Sequence, residues 1–254
     1  MWKYKHIRYV FLGISICSIV VSVAMHTWYP TVYLTIFSIW LIYILIGAFN
    51  LSAGIFTDAV CSLPDQNQTG IVITFDDGPD PDITPQVLDI LKSAQATAVF
   101  FCIGKKMLLY PELVHRIVRE GHILANHSYA HSNFIGMYST RKVIHELQQT
   151  ETLIAQYAGV STGLYRPPFG VTNPNIAKAV TVLGLRVLGW NQRSFDTVSK
   201  TKEEVLKRIT TDLKGGDIIL FHDTLKLAPV ILEDFLLFAK NKGFTFEVKS
   251  QLLS

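Results

Sequence analysis

The chain has 254 residues, of which 49% are hydrophobic and only 17% charged, and its formal net charge is +3. That length allows one large domain or two small ones, and so mild a charge, with no basic stripe interleaved with aromatics, excludes nucleic acid as a partner. The 3 cysteines, Cys17, Cys61 and Cys102, are scattered and contain no CxxC pair, so they form neither a disulfide framework nor a cysteine metal motif.

The apolar excess is concentrated at the start. From Tyr9 to Phe49 there is no Asp, Glu, Lys or Arg, a run of roughly 40 residues, about twice what one helix needs to cross the hydrocarbon core. It is interrupted at "HTWYP", so residues 1–50 are expected to form a multi-pass membrane anchor of two transmembrane helices. A cleaved signal peptide would carry one short apolar core and a small-residue cleavage site, and here a second apolar segment follows at once. Lys3, Lys5 and Arg8 precede the first span and put the N-terminus in the cytoplasm; two spans then return the remainder to the same side. The flank after Phe49, free of Lys and Arg, fits the opposite side instead. Pro64 and the polar "DQNQTG" mark 51–69 as a linker, and the sequon at Asn67 is of a kind that is common by chance.

From residue 70 to 254 short β-rich runs alternate with helical patterns. The runs are Ile71 to Phe75, Thr97 to Ile103, His122 to Ala125, Leu164 to Tyr165, Arg186 to Gly189, Asp217 to Phe221 and Phe244 to Val248. Between them Pro111 sits near a helix start with Gly121 as its stop, Asn173-Pro174 opens another helix, Thr201 and Glu204 form a capping box, and Gly243 closes the helix after Pro229. About seven strands alternating with helices predict a parallel α/β sheet, open or closed into a barrel, and the count leans towards an irregular barrel near eight-fold. Chemistry then gathers at the C-terminal ends of the strands.

The residues at those ends are of catalytic types. In "IVITFDDGPDPD" Asp76 and Asp77 follow an apolar run; successive strand side chains face opposite ways, so the two share a site only where the strand stops, as Gly78-Pro79 indicates. "ILANHSYAH" places His127 and His131 four residues apart after a strand, a spacing from which a helical turn can direct both at one metal. Two imidazoles and one carboxylate leave an open position, the pattern of a catalytic metal site. Arg166 in "YRPPFG", Trp190 and Asp196 in "GWNQRSFD", and His222 and Asp223 in "IILFHD" stand at further strand ends. Taken singly, these are also what acidic loops, surface cations and loop caps look like; their joint placement is what points to a site.

In this order and spacing "TFDDGP", "HSYAH", "RPPFG" and "LFHD" resemble the motifs of the polysaccharide deacetylases with the nodulation-protein-B homology domain, a family of metal-dependent carbohydrate esterases. The resemblance covers residues 70–254 and implies a distorted (β/α) barrel. It implies that Asp77, His127 and His131 bind one divalent metal, Zn²⁺ first and Co²⁺, Mn²⁺ or Ni²⁺ as others of the type, with Asp76 as general base and Arg166 orienting it. His222 would be the general acid tuned by Asp196, the backbone N–H of Phe169 would hold the oxyanion, and Leu220 and Trp190 would line the substrate pocket. The partner would be an N-acetylated glycan. The fourth motif departs from the usual Asp-x-x-Asp-Trp: Arg193 replaces the first Asp and Thr197 the Trp, which puts substrate preference in doubt more than chemistry. Alongside a membrane-anchored deacetylase stand two alternatives, a related metal-dependent hydrolase of a small amide or imide and a catalytically silent glycan-binding membrane protein.

Overall fold

The computed structural model describes residues 2–63 and 69–246. The sequon at Asn67, most of the polar "DQNQTG" and the C-terminal part of the expected run to Val248 lie outside them.

Two helices lead the chain, α1 (Trp2–Ala24) and α2 (Pro30–Phe49), joined across the predicted interruption. Both are long and apolar enough to cross a membrane, and most of their large apolar side chains are exposed. They pack as a hairpin through the Phe11 and Trp40 rings, 4.9 Å apart, and through the Tyr33 hydroxyl, which donates to Ser22 Oγ at 2.7 Å. Such a polar contact between helices is stronger where no water competes.

The remainder is one eight-stranded, wholly parallel sheet in the order β1-β6-β5-β4-β3-β2-β8-β7, curled into a half-barrel. The strands are β1 (Ala59–Val60), β2 (Val72–Asp76), β3 (Ala98–Cys102), β4 (Ile123–Asn126), β5 (Leu164–Tyr165), β6 (Arg186–Leu188), β7 (Gln192–Arg193) and β8 (Ile218–His222). Three differences from the sequence reading stand out. Two further strands exist, β1 and β7, each only two residues long. β1 lies within the expected linker, where Leu51 and Phe56 are also buried, so much of that stretch is part of the fold. The last expected strand amounts, among the described residues, to an isolated bridge between Gly70 and Thr245.

Both faces of the sheet are covered, which is why its strands read as nearly continuous apolar runs. Ile73, Phe75, Ile219 and Phe221 pack outward on Val87, Leu88 and Leu91 of α3 (Thr84–Ser93) and on the final helix, Ala228–Asn241. Val72, Val99, Phe101, Ala125 and Ile218 fill the concave side. Local signals set the helix boundaries: Asn173 accepts hydrogen bonds from the N–H groups of Asn175 and Ile176, and Thr201 accepts from Glu204 N. Each satisfies backbone donors that a helix start leaves unpaired.

The hairpin is seated on this half-barrel at the base of α2. Thr172 N donates to the Ala48 carbonyl at 3.0 Å, and the Tyr4 and Phe56 rings meet edge-on at 5.0 Å. A Cβ on Gly47 would lie 2.7 Å from the Phe56 ring, so only glycine permits this approach.

Candidate active site

The site is built outward from the end of β2. Asp76 is its last residue and shares the concave face with Thr74. Asp77 then takes a φ of 73°, and a cis Gly78–Pro79 peptide follows. This left-handed step ends the alternation of the strand, so both neighbouring carboxylates face the mouth of the half-barrel.

Arg166, fully buried, fixes Asp76. Its Nη1 donates to Asp76 Oδ1 at 2.7 Å and to Thr74 Oγ1 at 2.7 Å, while Nε and Nη2 donate to the carbonyls of Leu188 and Gly189 at 3.0 and 2.7 Å. Its guanidinium lies 4.2 Å from the Phe101 ring centroid. A charge this deep persists only when paired and saturated with hydrogen bonds, and here the arrangement holds one carboxylate in a single orientation.

Asp77 Oδ1 faces His131 Nε2 at 3.2 Å and His127 Nε2 at 3.5 Å. One donor atom from each of Asp77, His127 and His131 falls within 4.8 Å of the others. His127 Nδ1 is 2.8 Å from the Arg166 carbonyl; donation there leaves Nε2 as the free lone pair, the tautomer a metal ligand needs. Asp77 Oδ1 is buried without a hydrogen-bond partner, and an orphaned carboxylate oxygen between two imidazole nitrogens is a donor set that fits a divalent ion. Burial alone would raise the Asp77 carboxyl, but the facing His127 and His131 hold it well below the usual carboxylate range. Burial pushes His131 down to about 4, which keeps it neutral and able to ligate.

The two histidines do not sit on a helical turn, as their spacing suggested. They lie on a loop after β4 that turns through left-handed residues at Ser128 (φ 64°) and His131 (φ 48°). Side chains from within and beside the loop set its path: Asn126 Oδ1 accepts from Ser128 N, Ser128 Oγ from His131 N and Glu146 Oε2 from Ala130 N. These three side-chain hydrogen bonds take the place of helical hydrogen bonding and bring residues four apart onto one point.

Across the mouth, His222 ends β8 in register with Asp76. Asp196 holds it twice, with Oδ1 2.8 Å from Nδ1 and Oδ2 accepting the His222 N–H at 2.9 Å. Burial works against protonation, but the Asp196 carboxylate outweighs it and raises His222 to about 9. Leu220 is buried on the same face. Phe169 turns with a φ of 59° and its ring lies 4.7 Å from that of His131; its N–H has no partner among the described residues. Trp190 packs so tightly on Gly170 that a Cβ there would be 2.6 Å from the indole.

Several residues that shape the site were not singled out. Thr74 bridges Arg166 and the Ile219 carbonyl, Lys106 Nζ donates to the Asp77 carbonyl at 2.8 Å, and Asn126 supports the histidine loop. Asp223, noted only as a strand end, is fully buried behind the Asp77 turn: Thr84 Oγ1 donates to it at 2.6 Å, it packs on Gly78, and burial raises it to about 7. Apart from the Asn126–Ser128 hydrogen bond, these contacts join distant segments, so no local pattern announces them.

The family model described as polysaccharide deacetylase matches residues 64–188. A peptidoglycan-N-acetylglucosamine deacetylase of Bacillus cereus is 32% identical over 74% of this chain and 89% of its own length. The chain belongs to the polysaccharide deacetylase family. The peptidoglycan-N-acetylmuramic acid deacetylase PdaC of Bacillus subtilis is 30% identical over 76% of this chain, which spans only 42% of that longer protein. Among solved structures, the Bc1960 peptidoglycan N-acetylglucosamine deacetylase, in complex with an N-hydroxybenzamide, superimposes with a TM-score of 0.71 at 28% identity, covering 76% of this chain and 91% of that one. The fold described above is thus the fold of this family.

Proposed function

We propose that this chain is a membrane-anchored, metal-dependent hydrolase that removes N-acetyl groups from amino-sugar polymers or oligomers, with residues 1–50 as its anchor and 70–254 as its catalytic domain. The observation that carries the reading is the convergence at one mouth of three groups: the Asp77–His127–His131 donor set, the Arg166-held Asp76, and the Asp196-held His222. The family's metal dependence and the sugar deacetylase names of its relatives support it.

Asp77, His127 and His131 would hold the divalent ion, and Zn²⁺ suits two imidazoles and a carboxylate. When bound, such an ion supplies Lewis acidity, making water easier to deprotonate and the amide carbonyl more electrophilic. Asp76, kept in one orientation by Arg166, takes the proton from the attacking water. The free N–H of Phe169 donates to the oxyanion that develops on the carbonyl oxygen. His222 gives its proton to the departing sugar nitrogen, since an amine leaves poorly unless protonated, and its raised pKa keeps that proton available near neutrality. A base and an acid of opposite charge, each tuned by its own partner, divide the two proton transfers. Leu220 and Trp190 bound the space for the acetyl methyl.

Anchoring rests on the two apolar helices, and the contact of Tyr4 with Phe56 keeps the catalytic domain at the same end of the hairpin as the N-terminus. The test of function is release of free acetate from a panel of N-acetylated saccharides by the full chain in detergent with added Zn²⁺. Acetate with stoichiometric free amine supports the reading; no acetate from any member overturns it.

A further inference from the structure

Beside the acid, β7 carries a cation that the proposed chemistry does not use. Arg193 pairs in register with Leu220, and registered residues of parallel neighbours project from the same face. Its side chain therefore leaves the concave face at the mouth, and its Cα lies about 8 Å from that of His222, by the spacing of adjacent strands and two residues of rise. Its guanidinium stands 5.8 Å from the Trp190 ring centroid and 4.6 Å from that of Phe195. Arg208, from the helix Lys202–Thr210, stands 4.6 Å from the same Phe195 ring. Both arginines are exposed.

Neither guanidinium has an ion-pair or side-chain hydrogen-bond partner among the described residues. Asp196, next in sequence to Phe195, has both oxygens engaged by His222. Contact with the aromatic rings steadies each guanidinium while its N–H groups stay unpaired, and a free fork of N–H donors suits bidentate contact with a carboxylate or phosphate. Phe195 itself has a φ of 54°, a backbone state that a bulky residue adopts only when its surroundings hold it there. Two like charges are thus gathered on one ring at the rim of the groove, and among the described residues neither is engaged in an ion pair.

We propose that Arg193, seconded by Arg208, recognises an anionic substituent, so that the N-acetylated saccharide taken by this chain carries a carboxylate or phosphate next to the sugar that loses its acetyl group. This rests on the deacetylase reading for its reaction but not for its binding site. The test compares three tetrasaccharides of N-acetylated glucosamine with the full, Zn²⁺-loaded chain: unmodified, bearing 3-O-lactyl carboxylates on alternate sugars, and bearing a terminal 1-phosphate. One or both anionic forms are expected to exceed the neutral form at least about tenfold in kcat/KM. The difference should reside in KM and shrink as ionic strength rises. Arg193→Gln should bring that ratio to about one, Arg193→Lys should retain part of it, and the better of the two anions identifies the group. Equal kcat/KM for all three substrates, or a ratio unchanged in Arg193→Gln, overturns the proposal while leaving the deacetylase reading intact. Equilibrium binding of the same three sugars to Asp76→Asn separates the two failures. Anion-selective binding without turnover by the unmodified chain would sink the deacetylase reading alone, and binding without selectivity would sink the anion site alone.

Discussion

Replacing Asp196 by Asn tests the acid half of the site, because it removes a charge while keeping the shape. The carboxylate touches His222 at both its ring and its backbone N–H, and it is the main reason the imidazole sits at about 9 against an ordinary 6.5. Without it burial is no longer outweighed, and His222 should fall to ~6.5 or below. At pH 8 a group at about 9 is ~90% protonated and one at ~6.5 only ~3%, so the acid form should drop about 30-fold. The assay is the pH dependence of kcat/KM, whose alkaline limb should move from about 9 to ~6.5 or lower. The folded value lies above the unfolded one, so the pair's contribution to stability is full below ~6.5 and lost as pH rises through about 9. Asp196→Asn should therefore lower Tm at pH 6 and scarcely at pH 10. An alkaline limb that stays in place, or one that moves upward in Arg193→Ala instead, would refute the reasoning and make Arg193 the neighbour that His222 senses.

Other perturbations address the remaining parts. His127→Ala and His131→Ala should each lose stoichiometric metal by elemental analysis, whereas Asp76→Asn should keep it and lose turnover; full metal retention in both histidine variants would contradict the donor set. Arg166→Met leaves the Asp76 charge buried and two carbonyls without donors, so urea denaturation should show a loss of about 3–5 kcal/mol; a change below 1 kcal/mol would mean that the pair is not held as described. Gly170→Ala, at a φ of 68° and against the Trp190 indole, should cost about 1–3 kcal/mol and displace the indole, visible as a shift in its fluorescence. Reporters fused at the N-terminus and after Ser254 should fall on the same side of the membrane, as two spans require; opposite sides would rule out the hairpin count.

What the sequence made legible is the part where local pattern and architecture coincide. β2 and β8 are apolar runs that stop at "DD" and "HD", and parallel sheets gather their chemistry at such stops, so Asp76, Asp77 and His222 stand out as candidates from the sequence alone. β1 and β7 were invisible for an equally physical reason: two residues show no period, and Ala59–Val60 and Gln192–Arg193 become strands only because β6 and β8 offer free edges. The histidine pair was legible as a pair but not in its geometry, because left-handed turns at Ser128 and His131 do in a loop what helical spacing does elsewhere. Thr74, Lys106 and Asp223 act on the site through contacts across large separations in sequence, which periodicity cannot register.

Acetate release before and after metal removal tests the metal-dependent chemistry itself. The full chain would be stripped with chelator until elemental analysis finds no divalent ion, assayed on an N-acetylated tetrasaccharide, and assayed again after addition of one equivalent of Zn²⁺. Negligible acetate from the stripped chain and restored release on reloading, absent in Asp76→Asn carrying the same metal, is the predicted result. Undiminished release from verified metal-free chain, or equal release from reloaded Asp76→Asn, would contradict it.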